Sequence, residues 1–112
     1  MKALLITPDH VVKTVEIDSG LESLQKAVGG MIEYIPISDE VHAFIDEEGK
    51  LKGKEINTIA TMVCRKLEVG LQPDDMIVGD MIILGSLNAD GQSDGSSYDV
   101  PDSFGHPWLE RN

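Results

Sequence analysis

Residues 21–37 read LESLQKAVGGMIEYIPI, and a change of period inside this stretch decides the architecture. Leu21, Leu24, Ala27 and Val28 recur on one helical face. Gly29 and Gly30 then offer the left-handed backbone that ends a helix without a Cβ clash. After them Met31, Glu33, Ile35 and Ile37 alternate with Ile32, Tyr34 and Pro36, the period of a strand. The pattern predicts a helix over 20–28, a glycine stop, and a strand over 31–36. Ahead of the helix, Asp18-Ser19 offers N-cap chemistry, and Glu22 stands at capping-box spacing from Ser19.

Upstream of this unit, the apolar run Ala3–Thr7, the breaker Pro8-Asp9-His10 and the alternating stretch Val11–Ile17 predict a hairpin. Downstream, Val41–Ile45 reads as a fourth strand, with Val41, Ala43 and Ile45 on one side and His42 and Phe44 on the other. Ile56, Ile59, Ala60, Val63, Cys64 and Leu67 form the stripe of a second, core-facing helix, with Arg65 and Lys66 in its last turn. Met76–Leu84 is the most hydrophobic strand, interrupted at Gly79-Asp80 by a bulge or tight turn. The expected fold is therefore α+β: an antiparallel or mixed sheet of five to six short strands with two helices on one face. Residues 1–85 form the expected domain. Residues 86–112, rich in Gly, Ser and Asp, read as an acidic polar loop and C-terminal tail, with Phe104 and Trp108 docking it onto the body.

Charge and composition narrow the function classes. The chain of 112 residues carries a net charge of −11. Residues 1–72 contribute −4 and residues 73–112 contribute −7. Direct binding of a phosphate backbone needs clustered Lys and Arg, so direct contact with nucleic acid is not expected. The apolar run after Met1-Lys2 is too short for a signal peptide, and no apolar run approaches about 20 residues. No membrane contact is expected, and the location expected is the cytoplasm. Cys64 is the single cysteine, which excludes an internal disulfide.

Most tests for chemistry are negative. Cys64 falls on the apolar stripe of the second helix, where a thiol acts as a small hydrophobe. His10, His42 and His106 lie in separate segments without metal-ligand spacing. Asp90, Gln92, Asp94 and Gly95 resemble the start of a calcium loop, but its twelfth position is Pro101 rather than a bidentate Glu. No catalytic residue, metal or cofactor is predicted. The strongest ligand candidate is the basic turn KLKGK, with Lys50, Lys52 and Lys54, followed by Asn57 at a helix start. Lysines beside a helix N-terminus can present charge and backbone N–H groups to an anion.

Three stretches in order, LQKAVGGMIEYIPI, DEEGKLKG with Asn57 four residues on, and DMIVGDMIILG, resemble a family of short uncharacterised proteins. These are encoded by bacteriophages, actinobacteria and mobile elements and are classed as a domain of unknown function. The resemblance spans roughly Leu21 to Gly85. It implies a small α+β domain in a phage or mobile-element setting, with no known catalytic residues. The leading expectation is a non-enzymatic binding protein, a counter-defence sponge that sequesters a nucleotide-derived host immune signal through Lys50, Lys52, Lys54 and Asn57, as a monomer or a homo-oligomer. The alternative is an acidic nucleic-acid mimic that inhibits a host defence or DNA-binding protein through Asp74, Asp75, Asp90, Asp94, Asp99 and Asp102.

Overall fold

In the computed structural model, which describes residues 1–18, 20–68 and 75–104, two hairpins remote from each other in sequence are joined by a strand that arrives late in the chain. The first hairpin pairs β1 (Lys2–Ile6) with β2 (Val12–Glu16). The second pairs β3 (Ile32–Pro36) with β4 (Val41–Asp46). Between them runs β5 (Met81–Leu87), placing Ile83 opposite Leu4 on one side and opposite Ala43 on the other. The sheet order is β2-β1-β5-β4-β3, and β6 (Ser93–Tyr98) adds to β5; every pairing is antiparallel. The α+β, six-stranded expectation holds.

The helices are α1 (Leu21–Val28) and α2 (Thr58–Lys66). The sequence reading expected both on one face of the sheet, but they lie on opposite faces. Leu24 and Val28 of α1 pack with Ala3, Phe44, Ile82 and Leu84. Ala60, Val63 and Cys64 of α2 pack with Leu4, Ile6, Ala43, Ile45 and Ile83. Adjacent residues of β1, β4 and β5 thus serve opposite layers, as the two-residue period of a strand requires. An apolar stripe tells that a helix is buried but not on which side. The unbroken run Met81–Leu84 carries that information, because a strand apolar at consecutive positions is covered on both faces.

The expected domain boundary at residue 85 falls inside β5, and the polar segment after it is part of the sheet. Ser93–Tyr98 pairs back onto β5, the Val100 N–H donates to the Lys2 carbonyl at 2.8 Å, and Val100 and Phe104 join the α2-side core. Gly85 permits this return, since a Cβ there would run into the Asp99 carbonyl oxygen. Of the calcium-like residues, Asp90 and Gln92 lie in the turn between β5 and β6, and Asp94 and Gly95 lie in β6. Asn88 Oδ1 accepts from the N–H groups of Asp90 and Gln92, and the Asp94 carboxylate accepts from the Tyr98 hydroxyl. No metal-holding cluster occurs among the described residues. Trp108 and the rest of the expected aromatic knot beyond Phe104, and Asp74, lie outside the described residues.

Helix boundaries follow local chemistry. The N-cap of α1 is Gly20, which has no side chain to offer; Ser19, the expected cap, lies outside the described residues. Gly29, at φ 82°, closes α1 by donating its N–H to the Gln25 carbonyl at 2.8 Å. Ile56 is not in α2. It bridges to Val78, and Asn57 caps the helix. Among the described residues no helix is long and apolar enough to cross a membrane.

Candidate functional site

The three stretches that carry the family resemblance meet around one buried carboxylate. Asp46 ends β4, and its side chain has no solvent exposure. Its Oδ2 lies 2.8 Å from Lys52 Nζ and 2.7 Å from Lys54 Nζ, and its Oδ1 accepts the Glu48 N–H at 2.9 Å. The same ammonium groups reach the open end of α1. Lys54 donates to the Val28 carbonyl at 2.8 Å and Lys52 to the Gly29 carbonyl at 3.3 Å. Those carbonyls are left over where a helix stops, and cations there complement the dipole. Burial alone would push the Asp46 carboxyl up, but the bonds from Lys52, Lys54 and the Glu48 amide overcome it and hold the group far below the usual carboxylate range.

Gly30 is the space this network needs. A Cβ on it would stand 2.7 Å from both Asp46 oxygens and 2.5 Å from Lys52 Nζ. Gly79, at φ 75°, is equally constrained, because its Cβ would meet Lys54 Cδ at 2.8 Å. Asn57 ties the next layer. It is fully buried, accepts from the Ala60 N–H at 3.0 Å, and donates its amide to the carbonyls of Ile6 and Gly79 at 2.9 and 2.8 Å. The four expected ligand contacts are therefore placed as follows. Lys52 and Lys54 lie on Asp46, Lys50 on Asp75, and Asn57 inside the protein on backbone groups. Sequence reasoning singled out the lysines and missed their counter-ion. The available signal was a carboxylate closing an apolar strand, with Lys52 and Lys54 following at six and eight residues.

A groove of about 290 Å³ opens beside this network on the α2 face, between β3, the end of β4, Cys64 of α2 and residues 75–78. Buried Ile45, Cys64 and Ile77 line it, and Glu33, Glu47, Met76 and the Lys50–Asp75 pair surround them. Glu33 is opposite Ile45 in the register, and Glu47 follows Ile45 by two residues, so both carboxylates share the groove face. Neither forms an ion pair among the described residues. Tyr34 also borders the groove, yet its ring packs with His42 and Phe44 on the opposite face, at centroid distances of 5.2 and 5.7 Å. What Tyr34 gives the groove is its backbone. Cys64 is the one thiol lining it, and burial pushes its pKa up to about 11, so it is protonated at neutral pH.

A second buried polar group lies across the sheet. His42 Nε2 is 2.8 Å from Ser97 Oγ, and its Nδ1 is 3.0 Å from Ser86 Oγ. This bond set fastens β6 to β4 across β5.

These features define a small two-faced antiparallel α+β domain with an internal ion-pair lock and an open groove along one sheet edge. The chain belongs to the family described as Domain of unknown function (DUF3846), which it matches over residues 1–106. No curated protein and no solved structure matches it.

Proposed function

We propose that this domain is a non-enzymatic binding protein that takes a basic region of a partner protein at the β3-side groove. The observation that carries the reading is the contrast between its cations and its anions. Lys50, Lys52 and Lys54 are each engaged by an internal carboxylate, whereas Glu33 and Glu47 face the groove without a described ion-pair partner. An anionic ligand at the basic turn would have to compete with Asp46 and Asp75, and a nucleotide phosphate would also meet Glu47 nearby. A cationic ligand meets two carboxylates that form no ion pair among the described residues, over an apolar floor. The net charge of −11 supports the same direction through long-range attraction. A phage or mobile-element setting, implied by the motif resemblance, would make that partner a host protein. The nucleotide-sequestering reading loses support because Lys52, Lys54 and Asn57 are structural ties and Lys50 is already paired with Asp75.

Two titrations test the proposal. A labelled oligolysine–valine peptide is expected to bind in fluorescence anisotropy, with affinity falling steeply between 20 and 300 mM salt at about the Debye screening expected of exposed charges. Cyclic nucleotides are expected to give no heat in calorimetry. Saturable nucleotide heat that Lys50→Ala abolishes would overturn the reading. Lys50 is the proper probe, since removing Lys52 also deprives Asp46 of a partner.

A further inference from the structure

The free edge of β3 gives the groove a specific way to hold its ligand. In the antiparallel ladder, alternate residues direct both backbone groups to the same side. The Glu47 N–H donates to the Met31 carbonyl and the Ile37 N–H donates to the Val41 carbonyl, so the odd-numbered residues of this stretch face β4. Ile32, Tyr34 and Pro36 therefore turn their backbone groups outward, where the sheet order ends. Ile32 and Tyr34 each present an N–H and a C=O, and Pro36 presents a C=O alone. Glu33, Tyr34, Ile35 and Pro36 of β3 all border the groove, which puts groove and edge strand side by side.

We infer that β3 accepts an added strand: an extended partner segment that alternates Lys or Arg with apolar residues. Its register follows from the parity of β3. On the groove face, the added cations come directly beside Glu33, with Glu47 one strand further in on the same face. On the other face, the apolar residues cover the Tyr34 side, which is 54% exposed. Charge decides against a second copy of this chain as the occupant. Pairing two β3 edges into one sheet keeps Glu33 and Glu47 of both copies on one face as like charges. Pro36 limits the ladder, because it removes the donor at the third outward position. The segment held is thus short, a few residues on either side of Tyr34.

This inference rests on the basic-partner reading, and the test separates the two. A labelled heptapeptide of alternating Lys and Val is titrated against the full chain by anisotropy, alongside the same peptide N-methylated at alternate residues. N-methylation at the edge-facing positions leaves charge and side chains intact while removing ladder donors. Strand addition predicts at least a tenfold loss on N-methylation in one of the two alternate phases and little in the other. It also predicts a several-fold loss and a flatter salt dependence in the double variant Glu33→Gln, Glu47→Gln. Equal affinity of both N-methylated peptides and the parent would overturn strand addition while leaving the groove charge as the basis of binding. Absence of binding by every peptide overturns both. A homodimer in sedimentation that Tyr34→Lys dissociates would overturn the choice of occupant in favour of a second copy.

Discussion

Asp46 Oδ2 lies 2.7 Å from Lys54 Nζ, and the same ammonium donates to the Val28 carbonyl at 2.8 Å, so one lysine ties the end of β4 to the end of α1. The arrangement stabilises the chain only while the carboxylate is charged. Asp46→Asn is expected to lower stability by about 2–3 kcal/mol in urea unfolding at pH 7, somewhat below a fully buried pair because Lys52 and Lys54 keep partial contact with water. The sign with pH follows. The folded-state carboxyl titrates below its ordinary 3.8, so its contribution is complete above that value and is lost as pH falls further. The variant should lack this acid-side loss.

Asn57 separates a helix cap from a cross-tie. Asn57→Ala removes the cap of α2 and leaves the buried carbonyls of Ile6 and Gly79 without their donor, a loss of about 3 kcal/mol. Asn57→Asp keeps a cap acceptor but aims an oxygen at the same carbonyls. It is expected to be at least as destabilised as the alanine variant at pH 7, with partial recovery on acidification. Chemical unfolding of both variants at pH 7 and 5 checks this. A fully stable aspartate variant would show that the cap alone matters.

Three glycines should differ by what a methyl group meets. Gly20→Ala meets nothing within 4 Å and serves as the control, with a change below about 0.5 kcal/mol. Gly30→Ala presses on Asp46 and Lys52, whose flexible end can yield, for a loss of about 1–3 kcal/mol. Gly85→Ala presses on the Asp99 backbone carbonyl, which cannot. Thermal melts should rank the three in that order. Hydrogen exchange in the Gly85 variant should show early loss of protection at Val100, whose N–H bonds to Lys2.

His42 gives a second pH signature. Burial lowers its pKa from the ordinary 6.5, so the folded state resists protonation. The unfolded chain binds that proton more readily. Stability is complete above pH 6.5 and shrinks as pH drops from there towards the lower folded-state value. Melting temperatures measured from pH 7.5 to 5 should fall, and His42→Leu should flatten that slope at a constant cost from the unpaired Ser86 and Ser97 hydroxyls.

Local signals in the chain were faithful where local physics decides the outcome. The glycine pair at 29–30, the β1–β2 breaker and the centre of the α2 stripe are each legible in a window of about ten residues and form where expected, while Ile56 and Leu67 at the ends of that stripe fall outside the helix and are exposed. What was hidden depends on distant partners. Ser93–Tyr98 has turn-like composition and becomes a strand only because β5 offers it an edge. The side chosen by each helix depends on connections rather than on its stripe. For the candidate site, the lysines were visible as a cluster, but their pairing with Asp46 required the close approach of Gly30. The groove was not legible at all, since Glu33 and Glu47 become neighbours through the β3–β4 register alone.

The central position of β5 sets a timetable for synthesis. Leu4 must wait for Ile83, roughly 80 residues later, which at about 5–20 residues per second leaves the first hairpin unpaired on that side for some 4–16 s. In the later part of that interval, once Asp46 has been made, β1 and β4 both offer bare edges, and the two hairpins have no strand to join them. Exposed strand edges of this kind favour aggregation until they are paired. The chain's yield in a host cell should therefore follow translation speed through residues 47–80 more closely than the stability of the finished fold.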